Sequence, residues 1–165
     1  MTKLVKIGFG GGCHWCTEAV FLSLKGVVEV QQGWIASKAP HQSFSEAVVV
    51  SFNSKKISLK DLIAIHLHTH KSTSNHTMRE KYRSAVYYFS QKEENRAIDI
   101  INKLQVNFDE QIITQVLPFT SFKASLEEHQ NYYYNNPEKP FCKTYIHPKL
   151  QLLLERFREY TEIKK

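Results

Sequence analysis

Apolar residues alternate at Val5, Ile7 and Phe9, the period of a half-buried strand, before Gly10-Gly11-Gly12 interrupts the pattern. Beyond the glycines, Cys16, Ala19, Val20 and Leu24 recur at helical spacing up to Gly26, which reads as a C-cap. β-Branched residues predict strands at Val27–Ile35 and Glu46–Phe52. Leu59, Leu62, Ile63, His66, Leu67 and His70 share one helical face, with Ser58 as its cap and Asp61 in its first turn. A strand at Ser84–Phe89 follows, then a helix marked by Ala97, Ile100, Ile101 and Leu104, then a strand at Ile112–Leu117. Past residue 118 the regularity fades. Asn135-Asn136-Pro137 and Pro140 mark an irregular segment before a last helix carrying Leu150, Leu153, Leu154, Phe157 and Tyr160. Helices and strands that alternate in this way predict an α/β or α+β sandwich with helices covering a mixed sheet. With no repeat, low-complexity tract or linker, residues 1–165 read as a single domain.

Composition narrows the class without changing that picture. The chain is 42% hydrophobic, too apolar for intrinsic disorder. Three cysteines in 165 residues are too few, and odd in number, for a disulfide-stapled scaffold. No run reaches the roughly 18 apolar residues of a membrane span. Met1–Gly12 lacks the apolar core and cleavage site of a signal peptide, so a soluble, cytoplasmic, monomeric protein is expected. The net charge of +6 is spread along the chain, and its densest group is interleaved with Glu155, Glu159 and Glu162. That distribution reads as a solvated basic surface, with neither nucleic acid nor membrane as a partner.

All six glycines lie between Gly8 and Gly33, so the strictest backbone demand falls around the triplet. Cys13 follows it at the predicted helix start, where unpaired N–H groups and the positive end of the helix dipole favour thiolate over thiol. Cys16 lies one turn on, within reach of a disulfide. Contiguous glycines with no later Gly at the required spacing exclude a dinucleotide fingerprint. Two other classes remain open on these residues. A Cys-x-x-Cys at a helix start suits a general dithiol–disulfide oxidoreductase. His66 and His70, sharing a face, with Cys13, Cys16 or His76 nearby, suit a non-enzymatic Cys/His metal-binding module. Core histidines are the preferred reading, with no metal and no cofactor.

Gly11-Gly12-Cys13-His14-Trp15-Cys16-Thr17-Glu18 resembles the Gly-Cys-Phe-Trp-x-x-Glu signature of the peptide methionine sulfoxide reductase A family. Gly33-Trp34, Ser45-Glu46-Ala47-Val48, Tyr82-Arg83-Ser84-Ala85, Asn136-Pro137 through Cys142, and Ile146-His147-Pro148-Lys149 resemble further family segments in the same order. The resemblance implies an α+β fold, a ferredoxin-like two-layer sandwich with a mixed sheet and an irregular C-terminal tail. It implies thiol-dependent reduction of methionine S-sulfoxide, free or in proteins, through a sulfenic acid and a disulfide. Cys13 is then the nucleophile. Glu46 is the general acid, its pKa raised by burial next to Val48 and Trp15. Tyr82 donates to the sulfoxide oxygen, and Trp15 forms the apolar wall that accepts the substrate methyl. Cys16 and Cys142 are both candidate resolving thiols, Cys142 in a tail able to swing toward the site, and thioredoxin is the implied reductant.

The chain departs from that family at three positions of the site. His14 replaces a phenylalanine, making the pocket more polar or adding a cation that lowers the Cys13 pKa further. Trp34 replaces an oxygen-binding tyrosine. The family's loop aspartate has no carboxylate counterpart, His76 or Thr77 falling nearest. These changes bear on substrate fit more than on cysteine chemistry.

Overall fold

The computed structural model describes residues 4–75, 79 and 81–161. Strand β1 (Leu4–Gly10) leads through the glycine turn into helix α1 (His14–Leu22), followed by β2 (Val27–Ala36) and β3 (Ser45–Asn53). Helix α2 (Leu59–Thr69), β4 (Ala85–Tyr88), α3 (Gln91–Leu104), β5 (Gln115–Pro118) and β6 (Ser121–Ala124) come next. The tail adds α4 (Tyr132–Asn135), a π-helical turn at Cys142–Ile146 and α5 (His147–Phe157).

Six strands form one mixed sheet in the order β5-β4-β1-β3-β2-β6. Only the β4–β5 pair is parallel. The expected α+β class is observed. The sheet is broader than the expected ferredoxin-like sandwich, because β5 and β6 extend it at opposite edges. β3 is buried on both faces, which explains its apolar run Ala47–Val50 with no polar alternation. Val48, Val50 and Phe52 join Ile7 and Phe9 against Phe21 of α1 and Leu62 and Ile63 of α2. Ala47 and Val49 point the other way, to a smaller cluster with Ile35, Ala85 and Tyr87. Burying each large side chain of the main core contributes roughly 1.5–3 kcal/mol relative to exposing it.

The Ser58 cap is confirmed in full: its hydroxyl accepts from the Asp61 N–H at 3.1 Å, and the Asp61 carboxylate accepts from the Ser58 N–H. Gly26 corrects the expected C-cap. Helix α1 ends at Leu22, and Gly26 instead turns the chain into β2 with φ +87°. A Cβ there would lie 2.9 Å from the Lys56 Cβ, so the glycine serves a close approach. The strand predicted from Ile112 begins only at Gln115, and β6 has no counterpart among the expected elements. The tail is less irregular than expected. Tyr132, Tyr133, Cys142, Ile146, Leu150 and Leu153 all enter the main core.

Candidate active site

The end of β1 aims the chain at the site, and two histidines of the α2 end hold it there. The His66 Nε2–H donates to the Gly10 carbonyl at 2.8 Å. The His70 Nδ1–H donates back to the His66 carbonyl, and its Nε2 accepts from the Ser84 hydroxyl at 2.8 Å. The two rings stack at 4.2 Å. Burial lowers the His66 pKa to about 3 and pushes His70 down as well, so both are neutral. Gly11 has φ +152°, and a Cβ there would lie 2.5 Å from the His70 ring. Only glycine lets the imidazole pack so closely. Arg79 adds a tie the sequence did not signal, its Nη1 donating to the Gly11 carbonyl at 2.9 Å and the Tyr82 carbonyl at 2.8 Å. These are structural histidines; His68 points away and stacks on Phe108 at 4.6 Å.

Cys13 is the N-cap of α1, with φ −58° and ψ 130°. Its carbonyl starts the helix by accepting from the Cys16 N–H at 3.1 Å. Its thiol is partly exposed and its pKa is lowered, first by a hydrogen bond from the Cys16 thiol, then by the Trp15 and Cys16 backbone N–H groups. Burial and the Glu46 carboxylate oppose that shift. Cys16 moves the other way, held protonated by the Cys13 sulfur and by burial. The pair is therefore one sulfur favoured as thiolate and hydrogen-bonded by one thiol. Cys142 lies fully buried in the π-helical turn, where burial raises its pKa.

A cavity of about 570 Å³ opens on Cys13 and Cys16. Tyr82, Phe141 and Tyr145 supply its aromatic wall, and Lys71 and Lys149 its charge. Trp15 is not part of this lining. It stacks face to face on Tyr132 at 3.9 Å and meets Phe141 edge-on at 5.4 Å. Phe141 and Tyr145 had no signal in the sequence beyond lying in the tail.

Glu46 sits beside the helix start, 7% exposed. Its Oε1 accepts from the His14 N–H at 3.2 Å, and its Oε2 lies 3.6 Å from the Lys81 ammonium. The apolar setting expected for Glu46 is thus replaced by polar and charged contacts. Lys81 also lies 5.1 Å from the Tyr82 ring centre, linking the carboxyl to the phenol. The Glu46 N–H donates to the Lys81 carbonyl at 3.0 Å, which fixes the two segments together. His14 is buried, its Nδ1–H donating to the Gly33 carbonyl at 2.7 Å. Burial lowers its pKa, so it does not supply the cation considered for this position. Trp34 stands opposite Glu46 in the β2–β3 register and packs on the His14 ring at 5.1 Å. His76 and Thr77 lie outside the described residues.

Glu18, the last residue of the Cys13 motif, plays a part the motif alone does not reveal. Its carboxylate accepts from the Asn131 N–H at 2.7 Å, the Tyr132 N–H at 3.1 Å and the Gln32 amide at 2.7 Å. It pins the tail to α1, and so places Tyr132 on Trp15.

The sequence profile described as "Peptide methionine sulfoxide reductase" matches residues 5–161. A protein named "Peptide methionine sulfoxide reductase MsrA" from Trichodesmium erythraeum is 36% identical over 167 residues, covering 92% of this chain and 94% of the relative. Among solved structures, Mxr1 from Saccharomyces cerevisiae in reduced form superposes with a TM-score of 0.72 at 24% identity, covering 87% of this chain and 91% of that one. Mxr1 in complex with Trx2 superposes with a TM-score of 0.60 at 23% identity, covering 79% and 85%.

Proposed function

This chain belongs to the peptide methionine sulfoxide reductase family, and from that premise we propose how its residues carry the reaction. The enzyme is an oxidoreductase that reduces methionine sulfoxide to methionine. The Cys13 thiolate attacks the sulfoxide sulfur; the oxygen passes to Cys13 as a sulfenic acid, and methionine leaves two electrons richer. Glu46 delivers the proton that the sulfoxide oxygen needs, and Tyr82 donates to the same oxygen. The family motifs assign substrate contacts to His14, Trp15, Trp34 and His76, the last of which lies outside the described residues. Cys16, already hydrogen-bonded to Cys13, condenses with the sulfenic acid to a disulfide, and Cys142 is the alternative partner. An external dithiol such as thioredoxin then reduces that disulfide, in keeping with the Mxr1–Trx2 complex. The protein acts as a monomer on free or peptide-bound sulfoxide, in the cytoplasm. We read β1-α1-β2-β3-α2-β4, in the order β4-β1-β3-β2, as a ferredoxin-like unit within the broader sheet, and propose that residues 1–165 belong to one domain.

The observation that carries this reading is a partly exposed Cys13, favoured as thiolate, on a cavity it shares with Cys16. One equivalent of methionine sulfoxide, added without reductant, tests it by mass spectrometry. One methionine released per chain, with Cys13 joined to Cys16 or Cys142, supports the reading. Insulin-disulfide reduction without sulfoxide turnover returns the protein to the general oxidoreductases.

A further inference from the structure

The scheme above leaves one partly buried amine unused. Lys149 stands in the first turn of α5, directly after Pro148. Its ammonium donates to the Thr69 carbonyl at the end of α2, where a cation complements the helix dipole. The same side chain forms part of the cavity wall that holds Cys13 and Cys16. Both sulfurs favour its charge, Cys16 more than Cys13, against the burial that opposes it.

Cys16 needs such a cation more than Cys13 does. Cys13 draws on a thiol donor and on the N–H groups of Trp15 and Cys16. Cys16 is 4% exposed, and burial, the Cys13 sulfur and Cys142 all oppose its ionisation. When Cys13 becomes a sulfenic acid, its negative charge disappears while burial and Cys142 remain. Among the described residues, Lys149 is the group whose charge favours a Cys16 thiolate.

We infer that Lys149 is a positioning residue for the resolution step, its ammonium in the cavity wall stabilising the Cys16 thiolate that attacks sulfenic Cys13. This rests on the Cys13–Cys16 reading above. In the step, the Cys16 sulfur forms a bond to the Cys13 sulfur and the Cys13 S–O bond breaks. Hydroxide leaves and takes a proton from solvent to become water. The lone pair of the Cys16 thiolate becomes the S–S bond, so that Cys16 is formally oxidised and Cys13 formally reduced by one electron each, and no outside reductant enters. The charged and titratable groups that act with Lys149 are Cys13 and Cys16, Lys71 beyond α2, and the neutral His66 of α2 and His70 at its C-cap; Cys142 of the π-helical turn acts on Cys16. None of them offers a second cation to Cys16 that replaces Lys149.

Single-turnover reaction of the full chain with methionine sulfoxide, read at several pH values, separates the two steps. Methionine release reports the first; dimedone labelling of Cys13 and intact mass report the second. In Lys149→Met, an unchanged far-UV circular-dichroism spectrum should show that the variant folds, and methionine release should fall by a smaller factor than disulfide formation. Disulfide formation should slow at least tenfold, with dimedone adduct accumulating and the pH midpoint of that step moving up. Lys149→Arg should restore most of the rate. A wild-type disulfide rate in Lys149→Met overturns the inference, as does a higher KM with unchanged disulfide formation, the mark of substrate anchoring. Wild-type protein that releases no methionine overturns the parent reading and the inference with it.

Discussion

The glycine turn sets one cysteine at the start of α1 and the π-helical turn of the tail buries another in the main core, and the two turns treat their sulfurs in opposite ways. At the glycine turn, Cys13 caps a helix, keeps part of its surface open and meets hydrogen-bond donors. At the π-helical turn, Cys142 is fully buried in the main core, and burial holds it as a thiol. Two sulfurs of the same chemistry thus differ because one meets the Cys16 thiol and backbone N–H groups while the other meets hydrocarbon. Reactivity follows those donors, and the tail's sulfur is first of all packing.

Substitutions put that contrast under strain, and the largest effect belongs to the nucleophile. Cys13→Ser should leave less than about 1% of methionine sulfoxide turnover, because the nucleophile itself is lost. Glu46→Gln should slow the chemical step about 10²–10⁴-fold, the range for a lost general acid, as measured in pre-steady-state methionine release. A smaller effect is expected from the histidine that anchors the glycine turn. The His66 pKa is held near 3 in the fold, against about 6.5 in an unfolded chain. The folded state then binds fewer protons than the unfolded one between those values. Its contribution to stability is complete above about pH 6.5 and is lost as pH falls toward 3. Urea midpoints should decline across that window, and His66→Gln should flatten the decline. The smallest change is expected of His14→Phe, which removes a neutral ring and leaves the His14 N–H to Glu46 in place. Turnover of a methionine sulfoxide peptide should be retained.

The order from β1 to β4 was readable because its signals are local: alternation at Val5, Ile7 and Phe9, the Ser58–Asp61 cap, and the β-branched runs of β2 and β3. The tail was not. Helix α4 spans four residues, too few for any periodicity, and owes its place to Glu18 bonds and the Trp15–Tyr132 stack. The strand β6 carries one aromatic residue, Phe122, packed on the smaller core. At the site, Cys13 announced itself through glycines and helical spacing. The partners of Glu46 did not, since a backbone hydrogen bond between distant segments is what brings the Lys81 ammonium to its carboxylate. Nor did Lys149, whose amine meets the cavity only after the tail has packed on α1 and α2.

Iodoacetamide alkylation of the reduced native chain, followed across pH and mapped by peptide mass, reads the difference between the two turns directly. The account predicts that Cys13 is modified first, with a midpoint below that of a free thiol, while Cys142 reacts only when the chain is unfolded. Equal rates at the two positions, or a Cys13 that stays unmodified at neutral pH while Cys142 reacts, would contradict it.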